Sequence, residues 1–516
     1  MKVIQKIGFT LFFVGLIVFI GSLSLNDFML TEQSFNTSIQ DESHREILQP
    51  LLIQMKDQPY SSNVEFISDI KKGFNQVNDE LKANQDWDLV IWTDYTFAIV
   101  KNSTLGTVKD KAWTFFIVCF ILSALGGLLY LLPKLKTEFP GIKNDGIFFS
   151  ATSYRGWIGI SLGIVLILFY IVLYKFPEFI TNWVIMLDPL SKKVNGQGAD
   201  QWFLYGFIYT LAMFVMGVRM MIKYRNNMYQ LVRTGSVVFF QLCFAFTLPQ
   251  ILKLLNKPAY DLKSIWPLEY TFFFDYRLDE HLASGTFGIW MLVWGIALFS
   301  IGVPLLTYFY GKRWYCSWVC GCGGLAETVG DPFRQLSDKS VKSWKIERYL
   351  IHSVLVFGVV MTLAVLYTYL TGNAEILGVN SYFIREQYGF FIGFGFAGIV
   401  GTGFYPLMGN RMWCRFGCPL AAYLGLIQRF KSKFRITTNG GQCISCGNCS
   451  TYCEMGIDVR WYAQRGQNIV RSSCVGCGVC SAVCPRGVLK LENGPVEGRI
   501  NEDPIIIGAN SVELNV

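Results

Sequence analysis

Eight long apolar runs, near residues 8–26, 113–133, 155–175, 203–222, 235–255, 286–310, 350–370 and 389–408, leave this chain little choice of fold. Each approaches the roughly 20 residues that a helix needs to cross about 30 Å of hydrocarbon. Inside a bilayer the backbone must satisfy its own hydrogen bonds, so runs without strand alternation predict helices. Only 16% of the 516 residues are charged, against roughly 25% in soluble domains. The expected fold is a membrane all-α bundle of about eight transmembrane helices. The formal charge of +8 comes from Lys and Arg scattered at the ends of runs, without the dense block that a nucleic-acid partner would need.

Those cations orient the bundle. One set of connections holds Lys2 and Lys6, then Lys134, Lys136 and Lys143, then Lys223, Arg225 and Arg233, then Lys312, Arg313, Lys339, Lys342, Lys345 and Arg348, and finally Arg411 and Arg415. The other set is poorer: Lys192 and Lys193, then Lys257, Lys263 and Arg277, then Arg385. The richer set should face the cytoplasm. Both termini and every clustered cysteine then lie on the cytoplasmic side of the cell's inner membrane, with 27–112 outside. Residues 1–26 read as a retained anchor, because the apolar core exceeds the 7–15 residues usual in a cleaved signal. Arg219 and Lys253, near span ends, should reach the interface.

The expected organisation is an anchor (1–26), an extracytoplasmic domain (27–112), a helical domain (113–408) with a loop at 311–348, a segment at 409–436, a module at 437–495 and a tail (496–516). Leu48, Leu51, Leu52 and Met55 suggest that the outer segment is a small helical domain.

Of 15 cysteines, 13 fall between Cys316 and Cys484. The module contains Cys443-x2-Cys446-x2-Cys449-x3-Cys453 and Cys474-x2-Cys477-x2-Cys480-x3-Cys484-Pro485. Three thiolates at this spacing on a tight loop can each meet a different iron of one cubane. The fourth lies too far along to turn back, and in two-cluster ferredoxins it serves the other cluster. One [4Fe–4S] cluster would therefore use Cys443, Cys446, Cys449 and Cys484, and the second Cys474, Cys477, Cys480 and Cys453, in a small α+β module. Gly447, Gly476, Gly478 and Gly487 would let backbone amides approach the sulfides. Zinc knuckles need fewer cysteines with a longer gap between pairs, and disulfides need an oxidising compartment. Glu454 stands where such motifs usually carry proline.

A second set repeats. Gly311-Lys312-Arg313-Trp314-Tyr315-Cys316-Ser317-Trp318-Val319-Cys320 recurs 98 residues on as Gly409-Asn410-Arg411-Met412-Trp413-Cys414-Arg415-Phe416-Gly417-Cys418. Each copy follows a span, so the last four spans read as two related hairpins. If the helix continues, each pair shares a face. Cys316, Cys320, Cys414 and Cys418, with Cys322 to spare, could hold a third redox or metal site; reduced structural thiols are the alternative. Cys119 and Cys243, alone inside spans, read as core. In the last span Gly389, Gly393, Ala397 and Gly401 recur every four residues, which suits close helix packing.

Other cofactors find no foothold. The three histidines, His44, His281 and His352, place only one in a span, so a bis-histidine haem is not expected. No Cys-x2-Cys-His sequence offers haem c attachment. There is no dinucleotide fingerprint, and Ser103-Thr104-Leu105-Gly106-Thr107 does not fit a flavin attachment site. His352 reads as a packed membrane histidine, with proton or quinone contact as the alternative.

Several spans, Cys-x3-Cys after a span, a second copy reading Cys414-x3-Cys418-Pro419, and a two-cluster tail together resemble the membrane polyferredoxins grouped with NosR, NapH and CcoG. The resemblance covers roughly residues 200–495. It departs at Gly321, where the family commonly has proline, in the added Cys322, and in lacking the flavin site of NosR and the terminal immunoglobulin-like domain of CcoG. It implies electron supply to, or maturation of, respiratory metalloenzymes. The expected role is an electron-transfer component passing single electrons, with a protein redox partner and a quinone as candidate partners. An assembly factor that reduces a metal or disulfide, and a redox sensor, are the competing classes.

Overall fold

A computed structural model describes residues 3–86, 89–137, 156–495, 505–507 and 512–514. The chain forms two compact units, one of residues 1–133 with 171–208 and one of 134–170 with 209–516.

Among the described residues seven helices are long and apolar enough to cross a membrane: Val3–Ser24, Ala112–Pro133, Trp157–Lys175, Gln201–Lys223, Met228–Leu254, Gly285–Tyr310 and Val341–Thr371. Between 17% and 39% of each apolar stretch is buried within the protein. The remainder presents side chains such as Ile17, Val293 and Leu363 outward, which lipid tolerates and water does not. This is a multi-pass membrane protein.

The run expected at 389–408 is not one of the seven. It is helical from Ser381 to Gly403, but wide i→i+5 turns occupy Gly389–Val400. Six glycines between 389 and 403 lower its hydropathy. Its 23 residues still extend about 35 Å, and it returns toward the end of the molecule that Val341–Thr371 leaves, packing against that helix. The wide turns disperse the four-residue glycine spacing. A Cβ on Gly393 would press on Tyr270, on Gly398 on Tyr170, on Gly401 on Trp413 and on Gly403 on Ile167.

In the first unit, helix Val3–Gly21 crosses the Ala112–Pro133 span at two glycines. A Cβ on Gly8 would lie 2.6 Å from Tyr130 N, and one on Gly126 2.6 Å from Phe12 N, so only glycine allows this approach. Between these helices lies a helix-rich domain. Its longest helix, Asn63–Ala83, is capped by Ser62, and its buried Phe66, Ile67, Ile70 and Phe74 face Leu48, Leu51, Leu52 and Met55 in one core. A three-stranded sheet, Asp27–Met29 flanked by Pro59–Tyr60 and Thr104–Leu105, joins the ends. Strands this short leave no alternation to read in sequence.

In the second unit, the last described helix before the module is Pro419–Lys431. The module then opens with strand Phe434–Thr438, which pairs antiparallel with the closing strand Leu489–Asn493. Both cysteine runs lie between these strands, each a loop with one helical turn, Asn448–Thr451 or Val479–Ala482, that carries its third cysteine. Within the tail, Ile505–Ile507 pairs with Val512–Leu514; its other residues, like Lys143 of the charge set, lie outside the described residues.

Candidate functional site

The 98-residue repeat is a repeat of backbone as well as of letters. Span Gly285–Tyr310 stops at Gly311 (φ 67°, ψ 176°), and the helix before the second copy stops at Gly409 (φ 95°, ψ 165°). Only glycine occupies that region without strain. The amide of Cys320 then bonds Tyr315 O at 2.8 Å, and that of Cys418 bonds Trp413 O at 2.9 Å. Both second cysteines adopt extended backbone and begin a new helix, Gly321–Thr328 and Pro419–Lys431. The helix therefore does not continue through either pair, and the shared face expected from i,i+4 spacing is replaced by a turn. That turn places each second thiol at a helix N-terminus, where Cys418 Sγ accepts from Ala421 N at 3.4 Å.

Cys316, Cys320, Cys414 and Cys418 are all buried in one core. Cys418 lies within electrostatic reach of Cys414, Cys316 and Cys320, and Cys322 of Cys320, Cys414 and Cys418. Burial pushes Cys316 up to about 12. The neighbouring Cys322 thiol holds Cys320 below the ordinary thiol value, as a helix N-terminus also favours.

In the module, the thiols sort into two groups. Cys449 feels Cys484, Cys446 and Cys443, and these four line one cavity with Gly447. Cys480 feels Cys477, Cys474 and Cys453 first, and Cys449 last. Each run's fourth cysteine thus stands against the other run's triad. The two loops share a conformation: Ser445 and Gly447 in one, Gly476 and Gly478 in the other, all have positive φ. This turns amides inward, and Val488 N reaches Cys484 Sγ at 3.4 Å. Burial pushes Cys449 and Cys477 up to about 12 and Cys474 to about 11. Without a cation these thiols would stay protonated at neutral pH.

Among the described residues no three His, Cys, Asp or Glu groups close on a point as they would around one bare ion. Cys443, Cys446, Cys449 and Cys484 stand around a cavity instead, and the donor set is sulfur alone. Those features suit an iron–sulfur cubane.

The two runs differ in surroundings. Four successive carbonyls of the second run are held by side chains from the membrane domain and its loops, each at 2.8 Å. Gln428 donates to Cys474 O, Ser317 to Val475 O, Tyr229 to Gly476 O and Gln230 to Cys477 O. The first run faces outward, with Cys446 exposed and Ile444 54% exposed.

Buried charges, which sequence reading missed, knit this seam. Glu454 is 1% exposed; it accepts from Arg334 at 2.7 Å, Arg411 at 3.0 Å and Asn410 at 3.2 Å, and its carbonyl from Ser337. Burial alone would raise its carboxyl, but Arg334 and Arg411 hold it at about 2. Arg411 also reaches Glu327 at 2.6 Å, Cys316 O at 3.3 Å and Cys414 Sγ at 3.6 Å. Arg233 pairs with Glu327, and Asp331 takes Arg219 at 2.7 Å and Lys223 at 2.9 Å. Arg415 pairs with Glu347 at 2.7 Å.

Arg219, expected to reach the interface, points instead into this seam, because Asp331 compensates it there. Arg233, Lys312, Arg411 and Arg415, read as topology charges, are buried too. The one available signal was Glu454 in proline's place. Arg313, the repeat partner of Arg411, instead stacks on Phe434 at 4.8 Å and donates to Asn493. Cys119 is buried and Cys243 partly so. His44 bonds Tyr95 OH at 2.8 Å, and His281 packs beside Tyr260.

Comparison with known proteins agrees with this chemistry. The 4Fe-4S dicluster domain family matches residues 430–493, and the 4Fe-4S binding domain family matches 291–340 and 388–437, so the second family falls on the two repeats. The chain is 28% identical over 160 residues to the Escherichia coli (strain K12) protein named "Putative electron transport protein YccM", a match covering 29% of this chain and 43% of that relative. The chain therefore matches less than half the relative's length. No solved structure matches. These matches place 4Fe-4S binding domains of ferredoxin type on residues 291–340, 388–437 and 430–493 of a multi-pass membrane protein, where the clustered thiols lie.

Proposed function

We propose that the chain is a membrane polyferredoxin of the NosR, NapH and CcoG kind, relaying single electrons between the bilayer and a protein partner. In this reading Cys443, Cys446, Cys449 and Cys484 hold one [4Fe–4S] cluster, and Cys474, Cys477, Cys480 and Cys453 the other. The observation that carries it is the crossed sorting of the fourth cysteines. Clusters in these cradles supply one-electron redox chemistry at potentials that hydrogen bonding and burial tune. The chain's own residues supply the thiolates, the inward amides and a water-poor seam.

Cys316, Cys320, Cys414 and Cys418, with Cys322 at hand, form a third redox site in this proposal. Their mutual electrostatic reach and the family match on both repeats support it. Arg411, Lys312 and Lys263 are the nearby cations that offset thiolate charge. The second run is embedded beside that site and the first faces outward, which supports a sequence from membrane site to inner cluster to outer cluster to partner. A quinone is the candidate membrane-side reductant or oxidant. Ser381–Gly403 serves as the eighth span, and the module lies on the cytoplasmic side of the inner membrane.

The test is iron analysis with low-temperature EPR on anaerobically purified protein. Wild type should show two interacting cubane signals. Cys484→Ser should perturb the signal that Cys443→Ser also perturbs, and Cys453→Ser the one that Cys474→Ser perturbs. Uncrossed pairing would overturn the ligand assignment. Replacing Cys316, Cys320, Cys414 and Cys418 together with serine should lower iron content. Unchanged iron and an unchanged redox titration would end the third site.

A further inference from the structure

Helix Val341–Thr371 is longer than a span requires. Its 31 residues extend about 46 Å against about 30 Å of hydrocarbon. Its unbroken apolar part begins near Leu350, so the turns carrying Trp344 and Arg348 lie at the level of lipid headgroups.

There they wall an open groove of about 550 Å³, whose opposite wall comes from Pro419–Lys431 and the module segment 467–472. Arg348, Arg429, Arg471 and His352 line it, and among the described residues no Asp or Glu does. Trp344 is held between two guanidiniums, Arg471 at 4.5 Å and Arg348 at 5.4 Å from its ring. Arg471 spends one donor on Tyr462 OH at 3.0 Å, out of the five a guanidinium carries. Among the described residues neither Arg348 nor Arg471 is paired with a carboxylate; the adjacent acid, Glu347, is turned inward onto Arg415. His352 is fixed by its Nδ1 on Arg348 O at 2.5 Å. On its apolar side Phe430 is 69% exposed, which suits acyl chains.

We infer that this groove binds the phosphate of an anionic phospholipid headgroup, with Arg348 and Arg471 as the recognising cations. A site of this charge and depth, between a span and the protein's membrane-facing surface, has the properties that select such headgroups. Bound there, the lipid joins the span, the Pro419–Lys431 helix and the module.

The experiment is native mass spectrometry of the full-length protein released from nanodiscs of phosphatidylglycerol and phosphatidylcholine in equal parts. Retained lipid should be enriched in phosphatidylglycerol. Arg348→Gln should reduce that enrichment about five-fold, and the pair with Arg471→Gln about 25-fold, with iron content unchanged. The charge-keeping pair Arg348→Lys and Arg471→Lys should retain most of it. Because the glutamine pair could fail to fold, a photoreactive phosphatidylglycerol on wild type provides a second measurement, and its crosslinks should fall on residues 344–352 and 467–472. Equal retention of both lipids, enrichment that survives the glutamine pair, or crosslinks elsewhere would each overturn the inference. Displacement of the lipid by millimolar inorganic phosphate would reassign the groove to free phosphate.

Discussion

At the scale of single residues, Glu454 explains its own departure from motif. Proline there would end the cysteine run cleanly, but it would remove the carboxylate that bridges Arg334 and Arg411, leaving two buried guanidiniums with one carboxylate each, Asp331 and Glu327. Glu454→Gln should therefore destabilise the folded protein by about 3–5 kcal/mol, measured by thermal unfolding in detergent, with iron lost at lower temperature than in wild type. Asp331 gives a pH dependence. Burial alone would raise its carboxyl, yet Lys223, Arg219 and Arg334 hold it well below the ordinary 3.8. A carboxylate depressed in the folded state contributes stability that is complete above its unfolded value and lost as pH falls below it. Unfolding temperature should thus be flat in Asp331 between pH 5 and 7 and fall below about pH 4, and Asp331→Asn should flatten that acid limb while lowering the neutral value. The cysteines were legible because their spacing is itself the chemistry. Arg219, Arg233 and Arg411 were not, because a cation beside an apolar run reads the same whether it faces water or a carboxylate brought from 100 residues away.

At the scale of elements, the spans announce themselves by length and hydropathy, and the Ser381–Gly403 helix shows where that signal thins. Its glycines trade apolar bulk for approach, so packing replaces hydropathy as the evidence for it. Gly403→Val should press on Ile167 and cost about 1–3 kcal/mol by overpacking. Guest substitution at an outward position such as Phe391, 58% exposed, should cost far less by the same unfolding measurement. The repeat illustrates the converse limit. Its letters foretold two similar segments, while the i→i−5 closure at Cys320 and Cys418 that ends each helix depends on the glycine-led turn and on the next helix starting at once. Spacing alone suggested a continuous helix, and local closure decided otherwise.

At the scale of the whole molecule, the described core of residues 209–495 contains every clustered cysteine, and residues 27–112 contain none. Removing residues 30–110 should therefore leave iron content and the EPR signals intact in purified protein. If electron transfer persists while its regulation is lost, the sensor reading gains; if both persist, that segment serves partner choice or neither. The ferredoxin module does not hang from a linker. Four carbonyls of Cys474–Cys477 and the carboxylate of Glu454 are gripped by side chains rooted in the bundle. A shuttle that swings between stations needs slack, and this one has been moored. Under the proposed relay, traffic comes to it: a diffusing redox partner would land on the stationary berth around Cys446, and exchange rates should climb with that visitor's concentration.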